Sequence, residues 1–117
     1  MYICAMMQQN PLYKGSLTTI ILKMLSEHDK MYGYEITKKA REQSSGELVL
    51  TEGALYPALH KLEATGMLQV HVENIGNRQR KYYSLTKQGK KETAIKIGEV
   101  RSFIAQMQQM LNLKPTF

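Results

Sequence analysis

Between Leu68 and Leu85 the chain changes its hydrophobic period. Leu68, Val70 and Val72 alternate with Gln69, His71 and Glu73, the two-residue period of a half-buried strand. Asn74-Ile75-Gly76-Asn77 is a turn sequence. A returning strand then runs from Arg80 to Leu85, with the β-favouring Tyr82 and Tyr83. On either side the apolar period is helical. The chain is therefore predicted to be mainly α with a small β-hairpin.

Three helical segments precede the hairpin. The first runs from about Pro11 to Glu27, with Asn10 as cap and Pro11 at the first helical position. Leu17, Ile20, Ile21, Met24 and Leu25 form its apolar face, and Gly15 weakens its early part, which leaves a start of the regular helix nearer Gly15 as the alternative. The second runs from about Gly33 to Gln43. Tyr32, Ile36 and Ala40 point inward, Lys38, Lys39 and Arg41 point elsewhere, and Ser44-Ser45-Gly46 ends it. After Leu48-Val49-Leu50 the third begins near Thr51, a good cap. Leu55, Ala58, Leu59 and Leu62 make its buried stripe, and Gly66 stops it. Pro57 is awkward there, since an interior proline costs about 3 kcal/mol unless the turn is early or irregular.

One long helix follows the hairpin, from about Lys87 to Leu113, with Thr86 as cap. Ile97, Val100, Ile104, Met107 and Leu111 are spaced as in a heptad seam, the pattern of helices that pair along their length. Gly98 within it costs up to about 1 kcal/mol relative to alanine.

With 117 residues, one compact unit is expected. A single cysteine, Cys4, rules out an intrachain disulfide framework. There is no run of about 18 apolar residues for a membrane span. The first ten residues lack the charged start and long apolar stretch of a secretion signal, so a cytoplasmic location is expected.

Sixteen Lys and Arg against 10 Asp and Glu give a net charge of +6, which favours an anionic partner. The distribution is more specific. Asn74 to Lys91 contains no acid, yet holds Arg78, Arg80, Lys81, Lys87, Lys90 and Lys91. A solubilising surface usually mixes signs. Lys87, Lys90 and Lys91 also oppose the dipole at the start of the last helix, either as a tolerated cost or because phosphates lie nearby.

Nothing points to catalysis. The ten acids are scattered singly, and His28, His60 and His71 lack metal-ligand spacing. There is no phosphate-binding glycine loop. No enzyme activity, cofactor or metal is expected. The eight methionines read as core and interface filler.

Helix, helix, helix, hairpin, long helix is the order of a winged helix-turn-helix. One of its helices enters the DNA major groove, whose width admits a helix. The third helix is the candidate reader. Opposite its buried stripe lie Gly53, Pro57, His60 and Ala64, flanked by Tyr56 and Lys61. Small residues permit close approach, and Tyr56, His60 and Lys61 offer donors for phosphates or base edges. Packing of Tyr56 against the neighbouring helix is the competing role. Asn77, Arg78, Gln79, Arg80 and Lys81 are expected at the wing tip and the start of the returning strand, within reach of phosphates or the minor groove.

These residues resemble a known family. Gly15-Ser16-Leu17 with Ile21-Leu22, then Tyr32-Gly33-Tyr34-Glu35-Ile36, then Thr51-Glu52-Gly53-Ala54-Leu55-Tyr56-Pro57-Ala58-Leu59 with Leu62-Glu63 and Gly66, then Arg80-Lys81-Tyr82-Tyr83 with Leu85-Thr86 and Gly89, are similar to the PadR family of bacterial transcriptional regulators. The resemblance spans roughly Gly15 to Gly89 and corresponds to the short form with a single C-terminal helix. It implies a winged-helix domain over 1–86 and a dimerisation helix over 87–117 packed on the same domain. It implies a homodimer on an inverted-repeat operator, usually a repressor, and no membrane partner. Proline at the point of Pro57 is a family feature. Thr51, Tyr56 and Lys61 fall on the reading helix, Tyr34 at the start of the second helix, and Arg78 and Arg80 on the wing; Lys38, outward on the second helix, is a further candidate DNA contact. Some members of this form sense small aromatic or cationic compounds at the dimer centre by stacking on a tryptophan. This chain has no tryptophan, and Phe103 is the nearest substitute for contact with an unidentified inducer. The alternative function is a winged-helix protein-interaction adaptor without sequence-specific DNA binding.

Overall fold

A computed structural model of the protein describes residues 11–113. A 3₁₀ turn over Pro11–Ser16 leads into α1 (Leu17–Ser26), then β1 (Met31–Tyr32), α2 (Gly33–Gln43), α3 (Glu52–Ala64), β2 (Leu68–Ile75), β3 (Arg78–Leu85) and α4 (Lys87–Met110). The expected cap Asn10 and the thiol of Cys4 lie outside the described residues.

The core is built from α1, α2, α3 and the three strands. Ile21, Leu22, Met24 and Leu25 of α1 meet Ile36 and Ala40 of α2 and Leu55, Leu59 and Leu62 of α3. Leu48 and Leu50, between the helices, and Met31, Leu68, Tyr83 and Leu85 of the sheet complete it. Leu22 lies off the apolar face expected for α1 and is nonetheless 1% exposed. The reason is that α1 is covered on several sides, by α3, by β3 and by α4.

Helix ends follow local chemistry. Thr51 Oγ1 accepts a hydrogen bond from Ala54 N (3.2 Å), and Thr86 Oγ1 accepts one from Gly89 N (3.0 Å), as the two expected caps require. At the start of α2, Glu35 Oε1 accepts from Tyr32 N at 3.1 Å, half of a capping box. At its end Ser44 Oγ donates to Ala40 O (2.7 Å) and accepts from Leu48 N (2.7 Å). Ser45 and Gly46 then turn through left-handed backbone, and Gly46 N donates to Arg41 O at 2.7 Å.

The structure corrects several sequence expectations. Of the two starts the sequence allowed for the first helix, the later one holds: the regular part begins at Leu17, and a 3₁₀ turn occupies the stretch weakened by Gly15. α4 ends at Met110, a few residues earlier than expected, whereas α3 closes as expected on Gly66, left-handed at φ +84°, two residues past Ala64. The hairpin turn is two residues, Gly76-Asn77, with Ile75 paired to Arg78. Gly76 has φ +62° and Asn77 is not in left-handed backbone, the pattern of a type II′ turn. The β structure is also more than a hairpin. Met31 and Tyr32 pair with Tyr83 and Tyr82, giving a three-stranded antiparallel sheet in the order β1-β3-β2. Two residues carry no readable period, so this strand has no sequence signature.

α4 starts at a tight junction. Thr86 Oγ1 donates to Gly66 O at 2.6 Å, and Thr86 N donates to Met67 O at 3.0 Å. Gly89 is buried directly against that Met67 carbonyl, too closely for any side chain. From this anchor α4 runs back across α1, and Ile97 and Val100 settle beside Ile20.

Candidate nucleic-acid interface

α3 presents the face the sequence implies. Leu55 and Leu59 are fully buried, whereas Gly53, Pro57, His60, Lys61 and Ala64 are exposed. Pro57 sits inside the helix. The backbone bond it forgoes would have gone to the carbonyl of Gly53, on the same exposed face, where solvent can take that role. Tyr56 is 37% exposed, because its ring leans back over the start of α2. A Cβ on Gly33 would sit 2.5 Å from Tyr56 Oη. Gly33 thus makes room for Tyr56, whose ring also tilts toward His60 with centroids 6.5 Å apart.

Strand pairing decides which wing residues share that side. Directly opposed residues of an antiparallel pair project from the same face. Val70 with Tyr83, Val72 with Lys81 and Asn74 with Gln79 occupy one face; His71 with Tyr82, Glu73 with Arg80 and Ile75 with Arg78 occupy the other. The first face turns toward α2 and α3. Tyr32, Gly33, Tyr34, Tyr56, Val72, Gln79, Arg80 and Lys81 line one open cleft of about 430 Å³. Val72, expected to point into the core, is instead 48% exposed here, because the hairpin has run past the body of the domain.

The second face carries a ladder of charge and aromatic rings. Tyr32 meets Tyr82 edge-on at 5.5 Å and stacks with Tyr34 at 6.4 Å. The Arg80 guanidinium lies 4.1 Å from the Tyr32 ring centre. A hydrogen bond to Tyr82, reinforced by Tyr32, holds Arg80 above its ordinary pKa. Lys30 pairs with Glu73 and covers the Tyr82 ring at 4.6 Å. That hydrogen-bonded pairing raises the Lys30 pKa and lowers that of Glu73.

The sequence-selected residues therefore separate into groups. Tyr34, Tyr56, Gln79, Arg80 and Lys81 come together in the cleft. Gly53, His60 and Lys61 continue from it along the outer face of α3, with Thr51 at its start. Asn77 and Arg78 are exposed at the wing tip. Arg80 and Lys81 lie farther down the strand than the sequence implied, since the turn is shorter. Lys38 is exposed in a neighbouring polar recess with Tyr34, Glu35 and Lys39. Tyr32 and Val72 were not among the selected residues. Phe103 is 60% exposed on α4 and does not line the cleft.

Among the described residues there is no cluster of His, Cys, Asp and Glu fit for a metal, and no helix long and apolar enough to cross a membrane. Three helices, a protruding hairpin and an outward helix face beside a basic wing define a winged helix-turn-helix. Residues 21–95 match the Transcriptional regulator PadR-like family. The chain belongs to that family, whose members are DNA-binding regulators and not enzymes.

Solved structures agree. A transcriptional regulator from Clostridium thermocellum is 30% identical with a TM-score of 0.76, over 88% of this chain and 96% of that one. A PadR family regulator from Clostridium difficile is 34% identical with a TM-score of 0.73, over 83% and 99%. Bacillus subtilis PadR, solved in complex with operator DNA, is 28% identical with a TM-score of 0.63, over 69% of this chain and 45% of that one. The Transcriptional regulator YqjI of Escherichia coli is 32% identical over 75 residues, 64% of this chain. The chain spans about a third of the length of that relative, 34%.

Proposed function

We propose that the protein is a homodimeric transcriptional repressor that reads an inverted-repeat operator and is released by a small molecule. The observation that carries the reading is the shared cleft, which sets Tyr34 and Tyr56 beside Gln79, Arg80 and Lys81 of the wing. A duplex laid along the outer face of α3 meets base-edge donors from Tyr56, His60 and Lys61, and phosphate contacts from Arg78 and Lys81. The operator complex of Bacillus subtilis PadR supports double-stranded DNA as the partner.

In this reading residues 1–86 bind DNA and residues 87–117 close the dimer. Ile104, at the end of the groove against α1, and then the half-buried Met107 and the exposed Leu111 extend the seam begun by Ile97 and Val100. Phe103 lies alongside that seam and is assigned to inducer contact.

The decisive experiment is an anisotropy titration of the purified protein against its own upstream promoter DNA and a scrambled control, at two salt concentrations. Selective binding that weakens steeply with salt is the expected result. Equal, feeble binding to both would favour the adaptor role. Two substitutions refine it. Arg78→Ala is expected to weaken all duplexes alike and to lower the salt slope by about 1. An unchanged slope would remove the wing tip from the interface. Lys61→Ala is expected to cost operator binding about 1–3 kcal/mol more than random-sequence binding, and equal losses would show that Lys61 does not read bases.

A further inference from the structure

β1 pairs with β3 only as far as Tyr32 and Tyr82. Beyond that point the hairpin, from Val72 to Lys81, projects as a two-stranded ribbon. Such a ribbon has little rigidity of its own. Yet the recognition surface needs a fixed distance between the wing and α3, because phosphate contacts set the register in which base edges are read.

On the second face of the ladder, whose Arg80 and Tyr32 also border the cleft, two contacts tie this ribbon back to the segment that leads into α2. Lys30 pairs with Glu73, the sole acid between Leu68 and Leu85. Arg80, opposite Glu73 in the ladder, lies over Tyr32. Glu73 and Arg80 are cross-strand neighbours of opposite charge, and each has a partner off the ribbon. His71 Nε2 lies 3.5 Å from the Glu73 carboxylate and adds to the cluster.

We propose that Lys30 and Glu73, with the Arg80–Tyr32 stack, form a latch that sets the wing angle, and that Lys30 and Glu73 are positioning residues for operator recognition. The inference rests on the DNA-binding reading for its consequence and on the geometry alone for the latch. It also accounts for an acid at the base of a wing that otherwise carries only basic charge. Neutralised by Lys30, Glu73 does not repel phosphate.

The test uses Glu73→Gln, Lys30→Gln and the double variant, each compared with the wild type in two measurements. The first is backbone ¹⁵N order parameters without DNA. Residues 72–81 are expected to fall from about 0.85 toward 0.6 in each single variant and no further in the double. Thermal midpoints should hardly move, since exposed ion pairs contribute little to stability. Unchanged order parameters, or losses that simply add, would overturn the latch.

The second measurement is the affinity ratio for a duplex selected by the wild type from a random library against its scrambled form. Charge alone predicts opposite signs: removing Glu73 tightens binding to every duplex and removing Lys30 loosens it. The latch predicts that both lower the ratio, by about fivefold. A ratio unmoved in a variant whose wing has loosened would overturn the positioning role. A wild type that prefers no duplex would overturn the DNA reading instead, and the order parameters would still decide the latch.

Discussion

Gly89→Ala and Gly98→Ala, the same change made twice on α4, are expected to shift stability in opposite directions. At Gly89 the new methyl group would overlap the Met67 carbonyl oxygen and lie 3.2 Å from Leu85 Cδ2. Neither neighbour can yield easily. The Met67 carbonyl accepts from Thr86 N at 3.0 Å and from Thr86 Oγ1 at 3.2 Å, and Leu85 is in the core. Any shift also disturbs Thr86, whose Oγ1 caps the helix through Gly89 N. Overpacking costs about 1–3 kcal/mol and a damaged cap about 1 kcal/mol. Better helix propensity returns up to about 1 kcal/mol. The net loss is about 1–3 kcal/mol, or roughly 10 °C in melting temperature for a domain near this size.

At Gly98 nothing lies within 4 Å of a Cβ, and the residue is exposed in mid-helix. There the propensity term stands alone, and a gain of up to about 1 kcal/mol is expected. Thermal unfolding of both variants at one protein concentration checks the pair. Equal shifts would mean that the junction at Met67 and Thr86 is looser than its geometry.

Much of this architecture was legible because it rests on local rules. Thr51 and Thr86 act as caps in the structure, Ser44 to Gly46 ends α2, and the Leu55-Leu59-Leu62 stripe is buried. What escaped depends on contacts distant in sequence. β1 exists only because Met31 and Tyr32 find β3 about fifty residues later. Leu22 is buried because α1 is covered on several sides, by α3, β3 and α4. The division of the wing into two faces follows from a two-residue turn, and a longer turn would have given a different register. Of the cleft, the polar members were legible as residue types suited to DNA. Tyr32 and Val72 were not, since each reads as an inward residue of its own element. Gly33 held a usable signal: a glycine at the first position of a helix leaves room for a neighbour, and Tyr56 takes it.

Ile104→Lys is expected to abolish the proposed dimer and, with it, most of the operator affinity. The α4 seam has two parts with different neighbours. Ile97 and Val100 are half-covered, and with Ile20 and Ile104 they line an apolar groove of about 420 Å³ against α1. Farther on, Ile104 is 50% exposed, Leu111 56%, Phe103 60% and Met110 69%. A run of large apolar side chains along one helix end is more than scattered surface hydrophobicity and marks an association surface. Lysine at 104 would be tolerated in the separate chain, where half of the side chain already meets water. In a seam closed by a second chain the ammonium would be buried without a partner, a loss of about 3–5 kcal/mol. That corresponds to a dimer weakened by at least about a hundredfold. Operator binding should fall in step, because an inverted repeat is held by two linked domains and a lone domain keeps only one half-site. Sedimentation velocity at micromolar concentration, paired with far-ultraviolet circular dichroism to confirm folding, measures the effect. A folded monomer is the expected species. A folded variant that still sediments as a dimer would place the contact on another surface and leave the exposed end of α4 for a different partner.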